Sequence, residues 1–238
     1  ASGAVNPSTC SPSCSNFGLL AAKTKQVELG IKSRLSPFIK TNIAVFNADT
    51  TNDIVIGASN AGRNSFTNAP KTNRQGVEGS AQFKLPYSFE TNLAYTWLRA
   101  TVKESYLTNS TNLSTFNTVE SGNQIPGVPN QGLFAELLWV KPNKSVEAAI
   151  EARANGAMDA NDLNTQYKAP GYAVMNIRGV LRQEIAGGWS FSQFFRLNNV
   201  LDRSYVGSVI VNQFFLRSYE PAPTRNWMIG AKASYQFH

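Results

Sequence analysis

Cys10 and Cys14 frame the segment Cys10-Ser11-Pro12-Ser13-Cys14. This spacing suits either half of a zinc site or a small disulfide loop. A structural zinc site takes about four nitrogen or sulfur ligands. The only histidine is His238 and there is no second cysteine pair, so a disulfide loop in an oxidising compartment is the better-supported reading. His238 completes no Ser/His/Asp or Cys/His arrangement. Glu147 and Glu151 share the parity of one strand face and read as solvated wall charges rather than as an acid–base pair. No enzymatic activity, cofactor or metal is therefore expected. What remains is a set of ligand-holding types in long polar connections: Arg63, Phe66, Tyr106, Phe214, Phe215, Arg217 and Tyr219. Aromatic faces with guanidinium groups suit an anionic chelate, and loops carry function more often than walls do. Phe214, Phe215 and Tyr219 equally suit an aromatic girdle or packing beneath a loop.

The elements that must position these residues follow from composition and periodicity. Charged residues are 16% of the 238-residue chain and hydrophobic residues 42%. The first figure lies below the roughly 25% of a soluble globular protein. No run approaches the roughly 18 apolar residues of a membrane helix. A transmembrane β-barrel reconciles both facts, because each of its strands is half apolar and half polar. The net charge of +7 comes from basic residues scattered singly, without the cluster a phosphate-binding patch requires, so nucleic acid is not an expected partner. The chain opens at Ala1 with no basic-then-apolar leader, as a processed or truncated protein would.

Period-two alternation recurs along the chain. In the last segment Trp227, Ile229, Ala231, Ala233, Tyr235 and Phe237 share one face, with Lys232, Ser234 and Gln236 on the other. Such alternation places one apolar and one polar surface on a strand, and aromatics at both ends of the apolar face match the two interfacial girdles of a membrane strand. The Ala/Glu-rich stretch around Glu147 and Glu151 has helical propensity, but its strict alternation predicts a strand. Phe194 breaks the pattern of its segment. About nine strands result: 25–35, 40–50, 72–85, 88–103, 131–141, 145–155, 171–185, 189–202 and 225–237, with 1–24 as an extracellular loop ahead of strands and loops over 25–238. Short links at Ser36-Pro37, Pro86-Ser88, Lys141-Lys144 and Ala186-Gly188 alternate with long polar links over 50–72, 104–130, 156–170 and 203–224. Short periplasmic turns opposite long extracellular loops are the pattern of outer-membrane barrels. Glu28, Glu78, Glu136, Arg153, Arg178, Arg196 and Lys232 are expected to form cross-strand ladders of opposite charge.

Several segments resemble TonB-dependent outer-membrane receptors of the siderophore type. Asn199, Asp202 and Tyr205 match that family's "N-L-F/L-D-x-x-Y" segment, and Pro221, Pro223, Arg225, Asn226 and Trp227 its "P-x-P-G-R-N-W" entry to the final strand, with Thr224 where Gly is common. Asn123–Pro129, Gln26–Gly30 and Asn68–Glu78 resemble further elements in the same order, and Phe237 resembles the closing aromatic. The resemblance implies an all-β chain forming about nine C-terminal strands of a barrel of about 22, with the plug domain absent. It also implies a bacterial outer-membrane location, contact with lipid, capture of a ferric siderophore or related metal chelate, and coupling to the TonB complex only through the missing plug. A small self-contained pore and a soluble sugar-binding β-sandwich are the alternatives. The odd strand count opposes the first and the aromatic belts oppose the second.

Overall fold

The computed structural model describes residues 18–60, 63–108, 117–165, 168–185, 187–213 and 217–236. Alternating side chains put the chain into strands throughout: β1 (Lys23–Ser36), β2 (Ile39–Asn60), β3 (Arg63–Leu85), β4 (Phe89–Val102), β5 (Tyr106–Thr108), β6 (Asn117–Val119), β7 (Gln131–Val140), β8 (Val146–Asn155), β9 (Tyr172–Ile185), β10 (Trp189–Asn198), β11 (Val206–Val209), β12 (Tyr219–Pro221) and β13 (Asn226–Tyr235). Nine of them form one antiparallel sheet in the order β1-β2-β3-β4-β7-β8-β9-β10-β13, each strand beside its neighbour along the meander. The sheet is not closed: among the described residues β1 and β13 each have one unpaired edge.

The polarity of the two faces is inverted relative to a soluble protein. Val27, Leu29 and Ile31 are 76%, 73% and 71% exposed, whereas Thr72, Asn73, Glu151 and Asn176 are buried. Cross-strand register lines the apolar residues into continuous rows. One row runs Phe83, Thr91, Leu137, Ile150, Ile177, Leu197 and Trp227 across β3, β4, β7, β8, β9, β10 and β13. An exposed apolar sheet of this breadth is unstable against water and suits hydrocarbon. The Ala/Glu-rich stretch is strand β8, with Ala148, Ile150 and Ala152 on the exposed face and Ala149 and Glu151 buried. Phe194, on the polar face, lies over its cross-strand partner Gly230, where a β-carbon would collide with the ring. An aromatic covering an opposed glycine is a known sheet device, and it accounts for the break in alternation.

The strands between short turns fall within one or two residues of the sequence expectation, except at one end of the sheet. The predicted loop 50–72 is instead a continuation of the hairpin, with β2 and β3 running for 22 and 23 residues. Its Asn and Pro read as loop signals, yet the ribbon absorbs them. Asn52 takes a left-handed φ of 53° and drops out of register opposite Pro70, which has no N–H to give, and the Asn68 side chain donates to the Asn52 carbonyl at 2.8 Å. Likewise 104–130 contains the β5–β6 ribbon and 203–224 the β11–β12 ribbon. Strand β10 stops at Asn198, because Asn199 and Asp202 take φ of 50° and 51° and turn the chain. The β9–β10 connection uses Gly187 and Gly188 at φ of 86° and 82°, values a β-carbon disfavours.

Candidate functional site

The polar face is organised by a charge ladder in mid-sheet. Strand register sets Glu136 of β7 opposite Glu151 of β8, and Arg178 of β9 opposite Arg196 of β10. Each like-charge rung would repel alone. Interleaving removes the problem. Arg178 reaches Glu136 at 2.6 Å and Glu151 at 3.1 Å, and Arg196 grips both Glu151 oxygens at 3.0 and 2.7 Å. The chain extends to Asn92, which donates to Glu136 at 2.9 Å, and through Asn198 to Asn226. Of the charges expected to pair this way, Glu136, Arg178 and Arg196 do so. Glu151, expected as a solvated wall charge, is instead buried between the two arginines, because its strand position faces both guanidinium groups. Arg182 pairs with Glu147 at 2.6 Å.

Arg153 does not join the ladder. Its cross-strand neighbours are Phe134 and Val174, so no carboxylate stands opposite it, and its guanidinium lies 5.5 Å over the Phe134 ring. Among the described residues it forms no ion pair. Beside it opens a cleft of about 750 Å³, bordered also by Asn155, Tyr172, Arg196 and Tyr205. Asn155 donates to the Tyr172 hydroxyl at 2.9 Å, and the Tyr172 and Tyr205 rings meet at 4.3 Å. Burial, and then Tyr172, push the Tyr205 phenol above its ordinary range, keeping it neutral. A free guanidinium, three aromatic rings and carboxamide groups can hold a flat or anionic ligand by charge, stacking and hydrogen bonding.

Above the wall, the long connections fasten to one another through a fully buried asparagine. Asn212 donates to the Ile56 carbonyl at 2.6 Å and to Asp162 Oδ2 at 3.1 Å, and it accepts from the Asp162 N–H at 3.0 Å. Its backbone N–H meets the Ala160 carbonyl, and its carbonyl accepts from the Ser59 N–H. Asn123 donates to the Asp162 carbonyl, and the Asn164 side chain accepts from the Gln124 N–H and donates to the Gln124 carbonyl. Three connections and the end of the β2–β3 hairpin thus form one hydrogen-bonded cap.

The predicted ligand residues distribute over this cap. Arg63 begins β3 at the exposed hairpin end, and Phe66 is half-buried opposite Ile56. Ser59 pairs with Gln213, whose side chain accepts from the Arg217 N–H at 2.9 Å, which draws the Arg63 and Arg217 segments together. Tyr219 is exposed on β12. Tyr106 turns inward, its hydroxyl donating to Asp162 Oδ2 at 3.4 Å, and burial followed by the Asp162 charge holds its phenol well above the ordinary range. Phe214, Phe215, Cys10, Cys14 and Phe237 lie outside the described residues.

The motif residues tie the exit of β10 to the entry of β13. Buried Asn199 donates to the Arg203 carbonyl and accepts from the Arg203 N–H, and Asp202 accepts from the Arg225 N–H at 2.8 Å. Pro221 sits in β12, Pro223 borders the cleft, and Trp227 points outward at 67% exposure. Sequence reasoning passed over Arg153 as a ligand group, along with Tyr172, Phe134, Asp162 and Asn212. The signal that distinguishes Arg153 is the absence of an acid opposite it, which needs register to see.

Residues 3–200 match the family described as TonB dependent receptor-like, beta-barrel; the Asp202-to-Trp227 motif lies beyond that span. Among solved structures the chain is similar to the ferric citrate transporter FecA in its unliganded form, at 14% identity and a TM-score of 0.68 over 89% of this chain and 31% of that one. It is similar to the ferric yersiniabactin uptake receptor FyuA from Yersinia pestis at 16% identity and 0.65, over 91% and 30%. It is similar to the copper transporter OprC at 16% identity and 0.62, over 92% and 32%. At such identities the likeness is one of fold. The chain spans about three tenths of the length of these proteins.

Proposed function

We propose, because the chain belongs to the TonB-dependent receptor-like β-barrel family, that it forms wall and extracellular cap of an outer-membrane importer for an anionic metal chelate of the ferric-siderophore type. The family comprises transporters rather than enzymes, and its barrels are outer-membrane proteins. The observation that carries the chelate reading is Arg153: a guanidinium without an acidic partner among the described residues, seated on an aromatic ring at a cleft roomy enough for a small chelate. The names of the similar proteins, which include ferric citrate, ferric yersiniabactin and copper, support a metal-bearing cargo. In this reading Arg63, Phe66, Arg217 and Tyr219 make first contact at the cap, Tyr106 braces it, and Cys10 and Cys14 close a disulfide loop outside the cell. Coupling to the TonB complex would run through a plug domain. The self-contained pore gains no support, since β1 and β13 do not pair with each other.

The test is binding of a panel of ferric chelates to the detergent-solubilised receptor, followed by quenching of its tryptophan fluorescence. Arg153→Ala is expected to weaken the bound chelate by about tenfold to a hundredfold, the loss of one charge-assisted contact of about 1.5–3 kcal/mol. Arg182→Ala, at the rim, serves as the control. Wild-type affinity in Arg153→Ala for every chelate bound would refute the assignment.

A further inference from the structure

The outward face of β2–β4 changes character at one level. On β4, Phe89, Leu93, Tyr95 and Trp97 share the face that carries Val77 of β3, and Arg99 is the next outward residue after Trp97. Phe89 to Trp97 is eight residue steps, about 20 Å of height at the usual strand tilt of about 40°. With a ring at each end, this fills the roughly 25 Å apolar band of a membrane wall. The neighbouring strands change at the same level, where Val45 and Val77 give way to Asn47 and Gln75 in the row of Arg99. Four residues further along, Lys71 of β3 faces Lys103, just past β4, whose N–H donates to the Lys71 carbonyl at 2.8 Å. Two acids of this region are already hydrogen-bonded, Asp49 by buried Asn73 at 2.9 Å and Glu120 by Ser105 at 3.2 Å. This chain's own residues flank β3 and β4 here, with β2 on one side and Gln124, bridged to Thr101, on the other. The patch therefore depends neither on a free sheet edge nor on what fills the barrel interior. Lys23 and Lys25 face the same way but stand on the edge strand β1, outside the site. Arg63 at the hairpin tip aside, the other described lysines and arginines of the nine-stranded sheet take the polar face.

We propose that Lys71, Arg99 and Lys103 bind the sugar-linked phosphates of an anionic glycolipid in the outer leaflet. The proposal rests on the outer-membrane reading of this wall, with its long connections outside the cell. The levels of the three cations select the lipid class. Arg99 stands about 5 Å higher than Trp97, inside a headgroup layer about 5–8 Å thick. Lys71 and Lys103 stand about 15 Å above the last apolar residues of their strands. A phospholipid carries its single phosphate in the first of these layers, whereas a sugar headgroup bearing several phosphates reaches both. The Arg99 guanidinium suits bidentate contact with the lower phosphate, and the two opposed ammonium groups suit a phosphate above it.

The test counts lipid bound to the purified receptor by native mass spectrometry in detergent, titrated with diphosphorylated lipid A, dephosphorylated lipid A and phosphatidylglycerol. The wild-type receptor is expected to prefer diphosphorylated lipid A over the other two by about tenfold or more. Lys71→Gln/Arg99→Gln/Lys103→Gln should weaken its binding by about a hundredfold, about fivefold for each cation. Lys32→Gln/Arg34→Gln/Lys40→Gln removes the same charge from the polar face of β1 and β2 and should stay within about twofold of the wild type. Arg99→Gln alone, with an expected loss of about fivefold, gives the comparison if the triple variant folds poorly. Equal losses in the two triple variants would overturn the proposal. So would dephosphorylated lipid A bound as tightly as the diphosphorylated form. Phosphatidylglycerol bound as tightly would overturn it too, since one phosphate at one level would then suffice. Membrane fractionation separates this outcome from the reading beneath it. Recovery of the wild-type receptor outside the outer membrane sinks that reading, whereas an outer-membrane receptor with no phosphate preference sinks the glycolipid site alone.

Discussion

Removing Glu151 should cost far more than removing Glu147, although both acids face the same side of β8 and both pair with arginine. The Glu151 side chain is 6% exposed and accepts three N–H bonds, one from Arg178 and two from Arg196. Deleting one partner of a buried pair typically costs about 3–5 kcal/mol, most of it the cost of the charge left behind. Two features reduce the figure here. Arg178 keeps Glu136 at 2.6 Å and Arg196 keeps Asn198 at 2.8 Å, and the two guanidinium side chains are 27% and 24% exposed, so water reaches them. Opposing this relief, the Arg178/Arg196 rung loses its bridge and becomes repulsive. The net expectation for Glu151→Ala is about 2–3 kcal/mol. Glu147 meets Arg182 through one contact, with Arg182 44% exposed, and Glu147→Ala should cost no more than about 1 kcal/mol. A cycle of Glu151→Ala with Arg196→Ala should return a coupling of about 1–2 kcal/mol. The measurement is urea unfolding of the protein in lipid vesicles, read by tryptophan fluorescence, with midpoints shifting at constant slope. If Glu151→Ala stays within about 0.5 kcal/mol of the parent, or Glu147→Ala costs as much as Glu151→Ala, the ladder does not act as described.

Three further outcomes are expected. Asn212→Ala loses three side-chain hydrogen bonds and places alanine at a φ of 53°. It should open the cap by about 2–4 kcal/mol, seen as faster proteolysis within 203–224 at an unchanged wall midpoint; a protected cap would refute this. Gly230→Ala drives a methyl group into the Phe194 ring and should destabilise by about 1–3 kcal/mol, with Phe194→Leu restoring much of the loss in the double variant; a neutral single substitution would refute it. The raised phenol of Tyr106 favours the neutral form in the fold. Its stabilising contribution is therefore complete below the ordinary phenol value of about 10 and is lost as the pH climbs beyond it. Tyrosinate absorbance should show a late-titrating group missing from Tyr106→Phe, and superimposable titrations would remove Asp162 and burial from the account.

Alternation read from single residues located the strands between short turns, because the apolar parity of segments such as Val27-Leu29-Ile31 must be unbroken where a strand meets hydrocarbon. It missed the far half of the β2–β3 hairpin, where Ile54-Val55-Ile56 is an apolar run without alternation, most of the rest is polar or small, and Asn52 and Pro70 imitate a loop. The cap escaped for a related reason. Asn212, Asp162 and Asn123 are far apart in sequence, and asparagine marks turns everywhere, so nothing local distinguishes a buried brace from a surface turn. In the wall, the charged residues of the ladder were visible as types, but separating Arg153 from Arg178 and Arg196 required knowing which residues stand opposite each of them. The motif around Asn199 and Asp202 is legible as a pattern, but its physical content, a hydrogen-bonded weld between two strand ends, joins Asp202 to Arg225 across 23 residues and exists only in the folded sheet.

The unpaired edges set a thermodynamic condition on where this sheet can exist. In an antiparallel strand about half of the backbone groups point to each side. The free side of the 14-residue β1 therefore leaves about seven main-chain amides and about seven carbonyls without partners, and that of the 10-residue β13 about five of each. Each such group placed in hydrocarbon costs several kcal/mol. The sum reaches tens of kcal/mol and exceeds the roughly 5–15 kcal/mol that holds a typical domain together. Lateral closure by further strands is thus the step that makes bilayer residence favourable, and the free-energy gain at the two seams is concentrated in the backbone. Substitutions in side chains along β1 or β13 should alter which strand docks there far more than whether one must.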